Sequence, residues 1–268
     1  MKALIQKVCA IVLLALLASP LQAQEKFGVI LMHGKQGSAT SSGSGLPSIA
    51  STLQAHGHKV LVPSMPWSAG GWESIRATVD QAFDLIDGYA AQLRAQGVSR
   101  IVVGGHSLGA NIALSYAVER GNDVAGVVMM APGHSPGGSY RTSESFRKAL
   151  DRAVELVKDG HGNASFSGPD NNQGNSLTVS TTAAVYVSWM NPRGKASMDA
   201  QAPRLPASIP LFLVIGEKDP SFSRAKSAWY QPAAKNPYSR YVEVGADHFT
   251  TPFAASKQIV EWIDALPK

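Results

Sequence analysis

Cysteine is almost absent: the 268 residues contain one, Cys9. Beyond that position the chain can form no disulfide, offer no thiol nucleophile and ligate no metal through sulfur. Charge is sparse as well, at 16% of residues, with a formal net charge of +5. No basic cluster interleaved with aromatics occurs, which argues against a nucleic-acid partner. No internal repeat is visible, so solenoids and propellers are excluded. The apolar run at residues 8–18 falls short of the ~20 residues that a membrane-spanning helix needs.

That short run has a different meaning. Lys2 and Lys7 precede it, Pro20 breaks it, and Leu21-Gln22-Ala23 has the small-x-small character of a cleavage site. This is the layout of a secretory signal peptide. The expectation is that residues 1–23 are removed and that 24–268 forms an exported domain, periplasmic or extracellular. The mature chain should then have no stable membrane insertion, and losing Lys2 and Lys7 lowers its net charge to +3. Cys9 precedes the apolar core and is badly placed for lipid attachment. Core packing alone must stabilise the mature chain, and a domain of this length can bury enough surface to do so.

The mature region alternates short apolar runs with longer amphipathic ones. Residues 27–32, 59–62, 100–103, Val124–Met130, 211–215 and 241–244 read as strands. Leu46–Ala55, a long stretch at 72–96, about 108–120 and 253–266 read as helices. Continuous apolar strands separated by helices predict an α/β fold, a mainly parallel sheet of about six strands covered on both faces. Ligands on such sheets bind beyond the carboxyl ends of the strands. Residues 133–207 break the rhythm with an amphipathic helix at about 143–158, a polar stretch at 160–176 and a second helix at about 181–190. Connections in α/β units are normally a few residues long, so this insertion reads as a cap, the alternative being a surface decoration.

Gly105-His106-Ser107-Leu108-Gly109 joins a strand to a helix. A serine nucleophile needs this setting, because a sharp strand-to-helix turn lifts its hydroxyl out of the sheet and small flanking residues let the backbone pack around it. The pattern alone is weak, and it occurs twice. Gly133-His134-Ser135-Pro136-Gly137 also follows a strand, but its Pro and Gly residues are expected to prevent a helix from starting. Pro136 also lacks the amide hydrogen that the residue after a nucleophile must give to the oxyanion. Ser107 is therefore the candidate nucleophile and Ser135 a loop serine.

A serine hydroxyl needs a base held by a third group. Asp219 follows the strand at 211–215 within Gly216-Glu217-Lys218-Asp219-Pro220, and His248 follows the strand at 241–244 within Gly245-Ala246-Asp247-His248-Phe249. Glu217 is the alternative acid, and Asp247 is better placed to order its loop than to hold the imidazole. His56, His58 and His161 read as solvated surface residues. Met32-His33-Gly34-Lys35 follows the first strand, so the amide of Lys35, with Gln36 next, is expected to join that of Leu108 as an oxyanion donor. His33 is expected to brace the loop. His106 and Trp189 are candidate substrate-contacting residues, packing being the competing role for both.

With these pieces in place the chain resembles the α/β-hydrolase superfamily, as a serine esterase- or lipase-like member. The resemblance rests on His33-Gly34, the elbow Gly105 to Gly109, Gly216-x-x-Asp219 and His248, and it spans nearly the whole mature region. It implies a compact version of that fold without the usual leading hairpin. It also implies a hydrolase cleaving small carboxylic esters through an acyl-enzyme on Ser107, with no cofactor and no metal. Peptidase, thioesterase and acyltransferase chemistry on the same triad remain open, as does a non-catalytic binding module on the same fold.

Overall fold

The computed structural model describes residues 26–41 and 45–267. The proposed signal peptide lies outside the described residues. In chain order the main elements are β1 (Gly28–Met32), α1 (Leu46–Ala55), β2 (Lys59–Leu61), α2 (Val79–Arg94), β3 (Ile101–His106), α3 (Leu108–Arg120) and β4 (Val124–Met130). An insertion follows, with α4 (Pro136–Thr142), α5 (Glu144–Lys158), β5 (Ser165–Asn172), β6 (Asn175–Thr182) and α6 (Ala183–Met190). The chain then returns through β7 (Leu211–Gly216), β8 (Arg240–Val244) and α7 (Ser256–Asp264).

Six strands form one sheet in the order β2-β1-β3-β4-β7-β8, and every pairing is parallel. The expected α/β class and strand number are thus observed. Successive residues of β1 enter opposite cores. Ile30 and Met32 pack with Phe83 and Ile86 of α2 and Leu114 of α3, whereas Val29 and Leu31 pack with Leu53 of α1 and Ile259 of α7. A strand buried on both faces has no polar side to alternate with, which is why these segments read as unbroken apolar runs.

The strand order also locates the site. From β1 the chain crosses to β2 on one side and then returns to β3 on the other. Such a reversal opens a crevice outside the carboxyl ends of the two central strands. The loop after β1 carries Lys35, and the turn after β3 carries Ser107. The sequences following β7 and β8 approach the same edge.

Several boundaries differ from expectation. The helix predicted over 72–96 begins only at Val79, because Thr78 caps it in a reciprocal pair with Gln81. The preceding residues form a loop that buries Trp67, Trp72 and Ile75. The helix predicted over 253–266 is two helices, Thr251–Ala254 and Ser256–Asp264. The polar stretch at 160–176 hides the first strand and turn of a β-hairpin, β5–β6, which turns at Gln173 and Gly174, both at positive φ. His58 is buried, not solvated: its Nδ1 accepts from the Phe27 amide at 3.2 Å and its Nε2 meets Asp264 at 2.8 Å.

Candidate active site

Ser107 stands between β3 and α3 with φ 55° and ψ −117°, a conformation costly for any residue with a Cβ. Packing enforces it. A Cβ at Gly105 or Gly109 would run into the Met32 carbonyl oxygen, and one at Gly133 would come within 2.6 Å of Ser107 Oγ. The Ser107 amide donates to the Met130 carbonyl (3.0 Å), and its own carbonyl accepts from the Gly133 amide (3.1 Å). The turn is tied to the end of β4 and to the loop that follows it, so the hydroxyl is held in place before any ligand arrives.

His248 Nε2 lies 3.0 Å from Ser107 Oγ, and His248 Nδ1 lies 2.7 Å from Asp219 Oδ2. A carboxylate only accepts, so Nδ1 carries the proton and Nε2 is free to accept from the serine hydroxyl. All three residues are buried, at 6% exposure or less. Asp219 is fixed in turn by the Ser221 amide, 2.7 Å from Oδ1. Glu217 is exposed and takes no part. Asp247 is exposed as well and orders the His248 loop by accepting from the Phe249 and Thr250 amides at 3.0 and 2.8 Å.

The loop after β1 is braced by His33, whose Nε2 accepts from the Met65 amide (3.2 Å) and meets the Ser68 hydroxyl (3.1 Å). Burial holds the His33 pKa below its usual value, so the ring stays neutral and can accept. The Gln36 amide is spent on the Trp67 carbonyl at 2.8 Å. Among the described residues, the amides of Lys35 and Leu108 have no such partner, and both residues border a cavity with Ser107.

The Lys35 side chain does something the sequence did not foretell. Its ammonium is buried against Asp170 on β5, donates to the Asn171 carbonyl (3.2 Å), and lies 4.5 Å from the Trp72 ring centroid. Trp72 Nε1 donates to the same Asp170 oxygen at 2.7 Å. Burial lowers the Lys35 pKa, and Asp170 only partly restores it. Burial also opposes ionisation of Asp170, but Lys35 and His134 outweigh it and hold the carboxyl below its usual range. A buried ion pair therefore fastens the hairpin to the loop after β1, and the hairpin tip at Asn172 borders both cavities that meet Ser107.

His106 lines the second of these cavities. Its Nε2 donates to the His248 carbonyl at 2.8 Å, and its ring centroid lies 4.9 Å from that of His248. Burial, then the neighbouring His248, lowers its pKa to about 4. Trp189 is not brought to either cavity. It is fully buried between Trp67 and Trp72, with Nε1 donating to the Ala77 carbonyl at 2.8 Å. Phe146, Leu150 and Val185 are likewise buried and pack the insertion onto the main core.

Ser135 departs from expectation in one respect. A helix does start there: Pro136 occupies the first turn of α4, where its missing amide hydrogen costs nothing, and Ser135 caps it by accepting from the Gly138 amide at 3.3 Å. No base reaches Ser135, because the adjacent His134 turns its Nε2 to the Trp189 carbonyl at 3.0 Å. Among the described residues, no group of three or more His, Asp or Glu side chains is arranged to hold a metal ion, and no helix is long and apolar enough to cross a membrane.

The chain belongs to the alpha/beta hydrolase family, whose model matches residues 29–262. Similar solved structures include a monoacylglycerol lipase from Paleococcus ferrophilus, at 23% identity and TM-score 0.60, covering 89% of this chain and 94% of that one. Est1E from Butyrivibrio proteoclasticus, solved with ferulic acid, has 16% identity and TM-score 0.60, covering 91% and 90%. A thermostable carboxyl esterase from Bacillus coagulans, in complex with glycerol, has 15% identity and TM-score 0.59, also covering 91% and 90%. At such identities the likeness speaks to the fold. Comparison with curated protein sequences gives no match.

Proposed function

We propose that this protein is a serine hydrolase of carboxylic esters, with Ser107 as nucleophile, His248 as base and then acid, and Asp219 as the group that orients His248. The observation that carries this reading is the continuous hydrogen-bonded line from Asp219 through His248 to a serine held at φ 55°. A binding module would have no need of that strain.

In the first half-reaction Ser107 Oγ attacks the ester carbonyl while His248 Nε2 takes its proton. The amides of Leu108 and Lys35 then face the oxyanion. Each donor of this kind is worth ~10²–10³ in rate. Collapse returns the proton to the leaving alcohol and leaves an acyl-enzyme. Water then repeats the sequence, releasing the acid and restoring Ser107. Export follows from residues 1–23, and mass spectrometry of the mature protein should find Gln24 at its N-terminus; an intact Met1 in a cytosolic fraction would contradict this.

The test is a panel of 4-nitrophenyl esters of graded length, acyl-thioesters and amino-acid anilides assayed with purified protein. Esters should be turned over with the highest kcat/KM, and Ser107→Ala should abolish the activity. A preference for anilides or thioesters by an order of magnitude would replace the ester reading.

A further inference from the structure

Of the two cavities beside Ser107, the one reaching toward α4 has a volume of about 250 Å³ and a wall with few hydrophobic side chains. Leu108 and Pro220 are its hydrophobic residues; the remainder are glycines and hydrogen-bonding or charged side chains. A fatty chain lying there would displace water from many polar groups that it cannot satisfy.

Charge in this region does not cancel. Lys35 and Asp170 neutralise each other. Arg224, which also lines the cavity, donates from Nη2 to both oxygens of Asp199 at 3.0 and 3.2 Å and lies 5.0 Å from the Trp229 ring centroid. Trp229 Nε1 holds the same carboxylate at 2.9 Å. Arg141 Nη2 approaches Asp199 at 3.8 Å, so one carboxylate faces two guanidinium groups and a positive charge is left over. The head of Arg224 is thus pinned on one edge.

Its other edge is not. Arg224 Nη1 makes a long 3.4 Å bond to Ser135 Oγ, whose other contact is the Gly138 amide at 3.3 Å. In both contacts Ser135 accepts, so its own hydroxyl proton has no acceptor among the described residues. A guanidinium N–H and a hydroxyl stand side by side at the cavity wall, with an excess of one positive charge behind them. A singly charged, planar oxyanion matches that pair in geometry and charge.

We propose that Arg224 and Ser135 form a subsite for a carboxylate carried by the substrate of Ser107, which makes the enzyme selective for short acidic esters over neutral esters of the same length. This rests on the ester-hydrolase reading and specifies its substrate class. It also gives Ser135 a role: the second serine of the repeated pattern holds the substrate, and the first attacks it.

Two matched pairs of substrates test it. Mono-4-nitrophenyl adipate against 4-nitrophenyl hexanoate places the carboxylate in the acyl part. Carboxymethyl butyrate against ethyl butyrate, followed by pH-stat, places it in the alcohol. In at least one pair the acidic ester should have about tenfold higher kcat/KM, a preference that shrinks with added salt. Arg224→Met should bring that ratio toward unity, and Ser135→Ala should reduce it partway. A wild-type ratio at or below unity in both pairs would overturn the subsite without any variant, and so would a preference unchanged in a folded Arg224→Met protein. If no ester of either kind is cleaved and a fluorophosphonate fails to label Ser107, the hydrolase reading itself falls, and the subsite with it.

Discussion

A serine at φ 55° is kept there by its neighbours, and the same neighbours decide which of two look-alike serines can react. Ser107 has a base 3.0 Å away and an amide after it, whereas Ser135 has a proline after it and sits in an ordinary capping conformation. A fluorophosphonate probe should therefore form its adduct on Ser107 alone, and Ser107→Ala should abolish labelling. An adduct mapped to the peptide around Ser135 would refute both the assignment and the oxyanion argument. Asp219→Asn should keep the loop but favour the wrong tautomer of His248, lowering kcat by ~10⁴-fold by analogy with a triad aspartate elsewhere. If Glu217→Gln is inactive and Asp219→Asn is not, the acid has been misassigned. These residues were legible because each follows a strand and the chemistry needs that placement. The buried position of Trp189 was not, because helical spacing says which residues share a face and not what that face meets.

At the scale of elements, the β5–β6 hairpin is the feature that the sequence concealed. Phe166, Gly168 and Asp170 alternate inward along β5, but two of the three are not hydrophobic, so no apolar period marked the strand. Gly168 is needed there because the Tyr186 ring lies where a Cβ would point. The start of α2 was misplaced for a related reason: the apolar residues Trp72 and Ile75 belong to a loop drawn in by Trp72, whose indole reaches Asp170. Both errors meet at one buried ion pair. Removing one partner of such a pair typically costs about 3–5 kcal/mol, since the other is left charged in the interior. Asp170→Asn should therefore lower the unfolding free energy by at least ~3 kcal/mol in urea titrations. It should also reduce kcat more than it raises KM, because Lys35, whose amide is proposed to face the oxyanion, loses its anchor. In the double variant Lys35→Met/Asp170→Leu the stability loss should be smaller than for Asp170→Asn alone. A single variant within ~1 kcal/mol of wild type would show that the pair does not fasten the hairpin.

For the whole molecule, the reversal of strand order between β2, β1 and β3 decides where four separate loops converge; the sequence reveals the strands but not their order. What it cannot reveal is how deeply convergence buries the histidines. His106 and His134 both have pKa values lowered to about 4, the first by burial and the neighbouring His248, the second by burial and then Lys35. An unfolded chain titrates histidine near 6.5, so between pH 6.5 and 4 the unfolded state binds more protons than the folded one. Stability is then fully present above about 6.5 and is lost as pH falls toward 4, by on the order of 3 kcal/mol for each histidine. His33, also lowered by burial, adds to the trend in the same direction. Urea-unfolding free energies measured at intervals from pH 7 to 4.5 should fall steadily, and His134→Gln should make the slope shallower by about one proton. The loss should precede protonation of Asp170, whose carboxyl lies below its usual range. A free energy that stays flat down to pH 4.5 would mean that these rings titrate in the folded protein as they do in the unfolded chain, and the lowered pKa values of His106 and His134 would have to be abandoned.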